Sequence, residues 1–169
     1  MLTTLLLFIP ILGGFLLTLI PGTNSTRWQA LFLSVLAGAL SVYMAANFVP
    51  TGGVQFEAQN NWLPSLGISY HVGADGISMV MLLLTNLLSP LIFLSTVKQD
   101  MDHRGLFYGL MLMMQGAMTG VFVAQDLFLY YIFWELALIP AYFLVLLWGT
   151  GQNRKIAIKF FIYTLLGSL

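Results

Sequence analysis

Long apolar runs separated by short polar stretches make up most of the chain, and the runs have helix length rather than strand length. Five of them reach or approach the roughly 18 apolar residues that mark a membrane span. They are about Leu2–Ile20, ended by Pro21-Gly22; about Trp28–Phe48, ended near Pro50; Ile77–Val97; Leu106–Val123; and Leu127–Trp148, closed by Gly149-Thr150-Gly151. A 26-residue polar segment, Val49 to Ala74, separates the second run from the third. A sixth run begins near Ile156 and reaches Leu169, which gives roughly 20 Å of helix against a hydrocarbon core of roughly 30 Å. The pattern predicts an all-α, polytopic membrane helix bundle with five complete transmembrane helices and a partial sixth. The short last span reads as a fragment or a truncation.

Composition strengthens that picture. The 169 residues are 59% hydrophobic and 7% charged, whereas a soluble domain carries about 25% charged residues. A net charge of zero gives no footing for a nucleic-acid partner. The absence of cysteine excludes disulfides, thiolate metal sites and cysteine nucleophiles. Two histidines and six scattered acids form no metal-ligand pattern, and no glycine-rich phosphate loop occurs. The first charge, Arg27, follows the first apolar run instead of preceding it, and no small-residue cleavage pattern follows. The run is read as a retained helix and not a signal peptide.

Charge placement orients the bundle. The loops after spans 1, 3 and 5 carry Arg27, Lys98, Arg104, Arg154 and Lys155, five of the six basic residues; the opposite loops carry Glu57, Asp75 and Asp126 and no Lys or Arg. Basic loops stay on the cytoplasmic side, so the N-terminus is expected outside.

One acid stands inside a span. Glu135 follows Leu127 by eight positions, about 12 Å into the core at 1.5 Å per residue. A charge at that depth costs on the order of 3 kcal/mol on insertion scales, and the side chain is too short to reach either surface. Desolvation favours a neutral carboxyl and a nearby cation favours a charged one, which suits a group that takes up and releases a proton. The competing reading is a protonated glutamic acid making one interhelical hydrogen bond. Tyr131 and Tyr142 share its helical face, and Pro140 removes the hydrogen bond to the Leu136 carbonyl, a point where the helix is free to bend. Lys159 is the other intramembrane charge, about 13 Å from Glu135 along the membrane normal. Snorkelling to the inner surface competes with a relay or coupling role there.

The remaining polar residues fall into structural roles. Gln115 and Thr119 lie on one face of span 4 and are expected to bond across to span 5, while Gly116 and Gly120 permit close helix approach. Thr85, Asn86 and Ser89 form a polar patch before Pro90. Asp75 and Asp126 stand where helix N-caps are needed. Trp62 reads as an interface anchor and His71 as a solvated loop histidine.

Several stretches together resemble a known family. FWELALIPAYFLVLLWG (Phe133–Gly149), ISYHVGADGISMVMLLLT (Ile68–Thr85), QDLFLYYIFWE (Gln125–Glu135) and KFFIYTLLGS (Lys159–Ser168) resemble the antiporter-like, proton-translocating subunits of respiratory complex I (NADH:quinone oxidoreductase). The LIPAYFL run is similar to the M, or chain 4, branch. The resemblance covers nearly the whole chain but only the N-terminal third of a family member. It implies that residues 1–105 are three leading helices with an extracytoplasmic loop and that 106–169 begin the first antiporter-like repeat, with helices 4, 5 and a truncated 6.

By the same resemblance, the chain is a non-redox part of a translocase that couples quinone reduction to proton pumping. It carries no cofactor, with NADH, FMN, iron–sulfur clusters and quinone in other subunits. The implied partners are other membrane-arm subunits, especially adjacent antiporter-like ones, and the lipid bilayer. The implied location is the bacterial inner (plasma) membrane. Glu135 is the implied proton relay, coupled to a lysine on a later helix. A subunit of a multi-subunit cation/proton antiporter and a non-transporting assembly module are the alternatives.

Overall fold

The computed structural model describes residues 1–20, 22–50, 53–63, 67–99, 101–149 and 153–168. Pro21, Thr150 and Gly151, named above as span ends, lie outside the described residues. Six helices follow in chain order: α1 (Leu2–Leu19), α2 (Asn24–Ala46), α3 (Gly76–Thr96), α4 (Arg104–Val123), α5 (Leu127–Trp148) and α6 (Asn153–Ser168). The first five are long and apolar enough to cross a membrane. Among them α2 starts a turn before the expected Trp28. The Thr26 hydroxyl accepts the Thr23 backbone N–H at 3.0 Å and so satisfies a donor that would otherwise be orphaned at the new start.

The polar segment before α3 is not a plain loop. It forms an antiparallel hairpin, β1 (Gln55–Leu63) on β2 (Ile68–Ala74), with irregular register at Gln55/Ala58 and Asn61/Leu63. Phe56 takes a left-handed φ of 54° at the first irregularity, a strained conformation for a non-glycine residue. Its carbonyl there accepts a 2.8 Å hydrogen bond from the buried Thr3 hydroxyl. Tyr70 Oη lies 3.2 Å from Thr4 Oγ1, and the Gln125 amide donates to the His71 carbonyl at 2.9 Å. The hairpin thus roofs one end of the bundle and ties α1 to the α4–α5 junction. His71 is a strand residue beside Glu57, Nε2 to Oε2 3.3 Å, and not the solvated loop histidine expected.

The centre of the bundle is α4, which presents buried residues around most of its circumference. Small residues explain how close its neighbours come. A Cβ added at Gly14 of α1 would lie 2.6 Å from the Gly109 carbonyl oxygen, and one at Gly109 equally near the Gly14 carbonyl. These backbones touch, as small-residue positions allow. Gly116 abuts Ile11 and the Leu7 carbonyl of α1, whereas Gly120 lies under the Phe133 ring of α5. At the end opposite the hairpin, Arg27 Nη1 donates to the Val97 carbonyl at 2.8 Å and closes the C-terminus of α3. Trp148 Nε1 donates to the Asp102 carbonyl at 3.3 Å. The buried apolar residues form two clusters, one toward the hairpin around Leu6, Leu82, Val123 and Phe133, and one toward the opposite end around Leu17, Ala30, Phe93, Tyr108 and Leu112.

Candidate functional site

Glu135 sits on α5 where that helix meets α6. Helix α5 runs unbroken through Pro140. The carboxylate of Asp126 starts it, accepting the Phe128 and Leu129 amides at 2.9 and 3.1 Å. The same residue's second oxygen accepts the Ser69 amide at 3.1 Å and lies 3.4 Å from the Ser69 hydroxyl. One side chain therefore caps α5 and holds β2. Hydrogen bonds from the Ser69 and Leu129 amides hold its carboxyl below the usual carboxylate range. Asp75 does the matching job for α3. The Ser78 amide, 2.7 Å away, lowers its carboxyl in the same way. Both N-cap expectations hold.

The Glu135 side chain is half-buried. Its Oε1 accepts a 2.7 Å hydrogen bond from Ser168 Oγ at the far end of α6. Among the described residues no ion pair reaches it. Beside it lies an open groove of about 370 Å³, whose walls include Tyr131, Phe128 and Ile139. Tyr131 thus shares the face of Glu135 as expected. Tyr142 also faces α6, but its ring packs against Phe161 at 5.4 Å between centroids.

These two contacts set the α5–α6 register. Moving seven residues up α5, from Glu135 to Tyr142, corresponds to moving seven residues down α6, from Ser168 to Phe161. Lys159 therefore lies level with Leu144, nine residues from Glu135 or about 13 Å along the axis. It is exposed, and at 100° per residue it stands about 200° round the helix from Phe161, on the side turned away from α5. The structure brings Tyr131 and Ser168 to Glu135 and leaves Lys159 apart.

A second polar constellation crosses the middle of the bundle. Ser34 Oγ of α2 donates to Gln115 Oε1 of α4 at 2.8 Å. Gln115 Nε2 donates to Asn86 Oδ1 of α3 at 2.9 Å. Asn86 Nδ2 donates to the Leu82 carbonyl at 3.0 Å and toward Thr119 Oγ1 at 3.4 Å, and Thr119 donates to the Gln115 carbonyl at 2.9 Å. Asn86 and Thr119 are 0% exposed and Gln115 3%. Gln115 and Thr119 thus bond toward α2 and α3, not toward span 5 as expected. Phe133 over Gly120 fills the side of α4 that faces α5. Of the patch before Pro90, Asn86 belongs to this network, while Thr85 and Ser89 line an apolar groove of about 280 Å³ between α3 and α4.

Sequence reasoning missed Ser168 and Ser34. Each is a small hydroxyl within an apolar helix, spaced with its neighbours on one face: Ala157, Phe161 and Ser168 along α6, Ser34 and Ser41 along α2. That spacing was the available signal.

Comparison with known proteins agrees with this architecture. Residues 124–169 match the family described as NADH:quinone oxidoreductase/Mrp antiporter, TM. The chain is 46% identical over 140 residues to F(420)H(2) dehydrogenase subunit M of Methanosarcina mazei, covering 82% of this chain and 28% of that protein. It is 38% identical over 174 residues to NAD(P)H-quinone oxidoreductase chain 4 1 of Thermosynechococcus vestitus, covering 99% and 32%. Among solved structures, a chain of respiratory complex I from Thermus thermophilus with bound NADH superposes with a TM-score of 0.84 at 32% identity, over 100% of this chain and 34% of that one. The Mrp complex from Dietzia shares the fold, with a TM-score of 0.82 at 18% identity over 100% and 18%. The chain spans about a third of the length of the curated relatives it matches. With multi-pass membrane helices, the motifs around Glu135 and these relatives in agreement, the chain belongs to the family of NADH:quinone oxidoreductase and Mrp antiporter transmembrane subunits.

Proposed function

We propose that this chain is part of a subunit that carries protons across the membrane within a quinone-reducing respiratory complex, and that Glu135 takes up and releases the proton. The observation that carries this is the carboxylate itself. It stands well inside a membrane-spanning helix, held by a hydroxyl from α6 and opening on a groove. Intramembrane acids are costly and mark ion and proton paths. Electron transfer belongs to other subunits, which hold the NADH, FMN, iron–sulfur clusters and quinone. The relatives are named for different electron donors, F(420)H(2) and NAD(P)H, which supports a role for this part that does not depend on the donor.

In this reading residues 1–105 form the leading helices and 106–169 open the first antiporter-like repeat. The partners are the membrane-arm subunits, above all neighbouring antiporter-like ones. The basic end of the bundle faces the cytoplasm of a bacterial inner membrane. Glu135 acts with a lysine supplied outside this chain. Lys159 serves as a positive anchor at the inner surface; a coupling role for it would have to act across the gap measured above.

The test is Glu135→Gln in the full-length subunit within its complex, with proton uptake by inverted vesicles followed by a pH-sensitive dye. Pumping is expected to fall to background while the complex still assembles. Near-normal pumping would sink the assignment. The family description also covers Mrp antiporters, which supports cation/proton exchange as the second reading. Co-purification without redox subunits, and loss of exchange in the same variant, would favour it.

A further inference from the structure

The hydroxyl that meets Glu135 has a second acceptor. Ser168 Oγ lies 2.7 Å from Glu135 Oε1 and 2.9 Å from the Leu165 carbonyl oxygen. A serine hydroxyl owns one proton to donate and lone pairs to accept with, so it cannot satisfy both acceptors at full strength. An ionised carboxylate is the stronger acceptor, since charge-assisted hydrogen bonds are about twice as strong as neutral ones. A protonated carboxyl has an O–H of its own and needs an acceptor instead.

We propose that Ser168 is the positioning residue for Glu135, and that its hydroxyl reverses direction with the charge of the carboxyl. With Glu135 ionised, Ser168 donates to Oε1. When Glu135 takes a proton from a hydronium ion in the adjoining groove, one hydronium O–H bond breaks, a water molecule is left behind, and the new carboxyl O–H donates to Ser168 Oγ. The serine proton then swings to the Leu165 carbonyl. The only covalent bond made is the carboxyl O–H; the serine O–H only rotates, and release runs the steps backward. Because Leu165 lies one turn back on the same helix, both acceptors stay in place and the switch needs no helix movement. The device keeps Glu135 turned toward α6 in both charge states, at the edge of the groove lined by Tyr131.

This inference rests on Glu135 as the proton carrier, and the experiment separates the two. In the full-length subunit within its complex, Ser168→Ala and Ser168→Thr are compared with the wild type by proton pumping. They are also compared by infrared difference spectroscopy of the protonated-carboxyl C=O band, assigned to Glu135 by its loss in Glu135→Gln. Ser168→Ala is expected to lower pumping about tenfold, the loss of one hydrogen bond to a charged group. It should also move the band to higher frequency, because the carboxyl has lost its acceptor. Ser168→Thr restores the hydroxyl and should return both readouts toward the wild type. A Ser168→Ala variant with the band unmoved overturns the proposal whether or not pumping falls, because Ser168 would then be a packing residue. Pumping that survives in Glu135→Gln defeats the proposed function instead, and the band still reports on the hydrogen bond.

Discussion

At the scale of single residues, polar side chains inside the bundle fall into two kinds. Ser34, Gln115, Asn86 and Thr119 bond to one another, and their amide and hydroxyl groups find partners without water. Among the described residues, Glu135 has one hydrogen-bond partner, Ser168, and beside it an open groove. The closed network fixes the register of three helices, while the open site has room to change state. Gln115→Leu therefore serves as a stability probe. It keeps the volume and orphans the Ser34 hydroxyl and the Asn86 carbonyl, at about 1–3 kcal/mol each. A lowered thermal midpoint of the purified full-length subunit, with Ser34→Ala much milder, is the expected result. A Gln115→Leu protein as stable as the wild type would show that the network contributes nothing net. Sequence alone revealed Glu135 because a charge in an apolar run is conspicuous. It did not reveal Ser168, because a hydroxyl gains its meaning from what lies across the helix interface, 33 positions away.

At the scale of elements, the spans were legible to within a turn; α5 begins and ends at Leu127 and Trp148, as its apolar run does, while α2 and α6 start four and three residues before theirs. Apolar length and Asp caps are local signals, so local reading recovers them. The hairpin was not legible. Its strand Gln55–Leu63 is mostly polar and exposed, and what holds it are long-range bonds to Thr3, Gln125 and Asp126. Which helix Gln115 faces was misread for the same reason, since a helix has several apolar neighbours and periodicity does not name them. Asp126 is where hairpin and helix meet, and its chemistry sets a pH window. The Ser69 and Leu129 amides keep its folded-state carboxyl below the usual range. Its contribution is therefore complete above the unfolded value, about 3.9. It is lost only as pH falls through the lower folded value. Amide exchange at Ser69 and Phe128 should be slow and level from neutral pH down to about 5, once corrected for intrinsic rates, and should quicken below about 4. Asp126→Ala should show the quick rate at neutral pH. Equal protection in the variant would mean that the ladder holds the hairpin without the clamp.

For the molecule as a whole, the decisive asymmetry is between its two ends. Arg27 and Trp148 close the end that carries Lys98 and Arg104, and the hairpin with Glu57, Asp75 and Asp126 roofs the other. The fold thus gathers the basic loops at one face, which the loop count alone assumes. Orientation matters to mechanism because Glu135 lies eight residues from the hairpin end of α5 and thirteen from Trp148. The aqueous side facing the hairpin is its shorter route to water. In the proposed orientation, which rests on the positive-inside rule, that side lies outside the cell. The chain holds no cysteine, so single replacements in a cysteine-free full-length subunit give a clean topology test. Gln59 of β1 and Lys98 after α3 are both exposed. A membrane-impermeant maleimide should label Gln59→Cys in intact cells and Lys98→Cys only in inverted vesicles. The opposite pattern would invert the bundle, place the nearer water of Glu135 in the cytoplasm, and, under the proposed function, make that side the one from which the carboxylate loads.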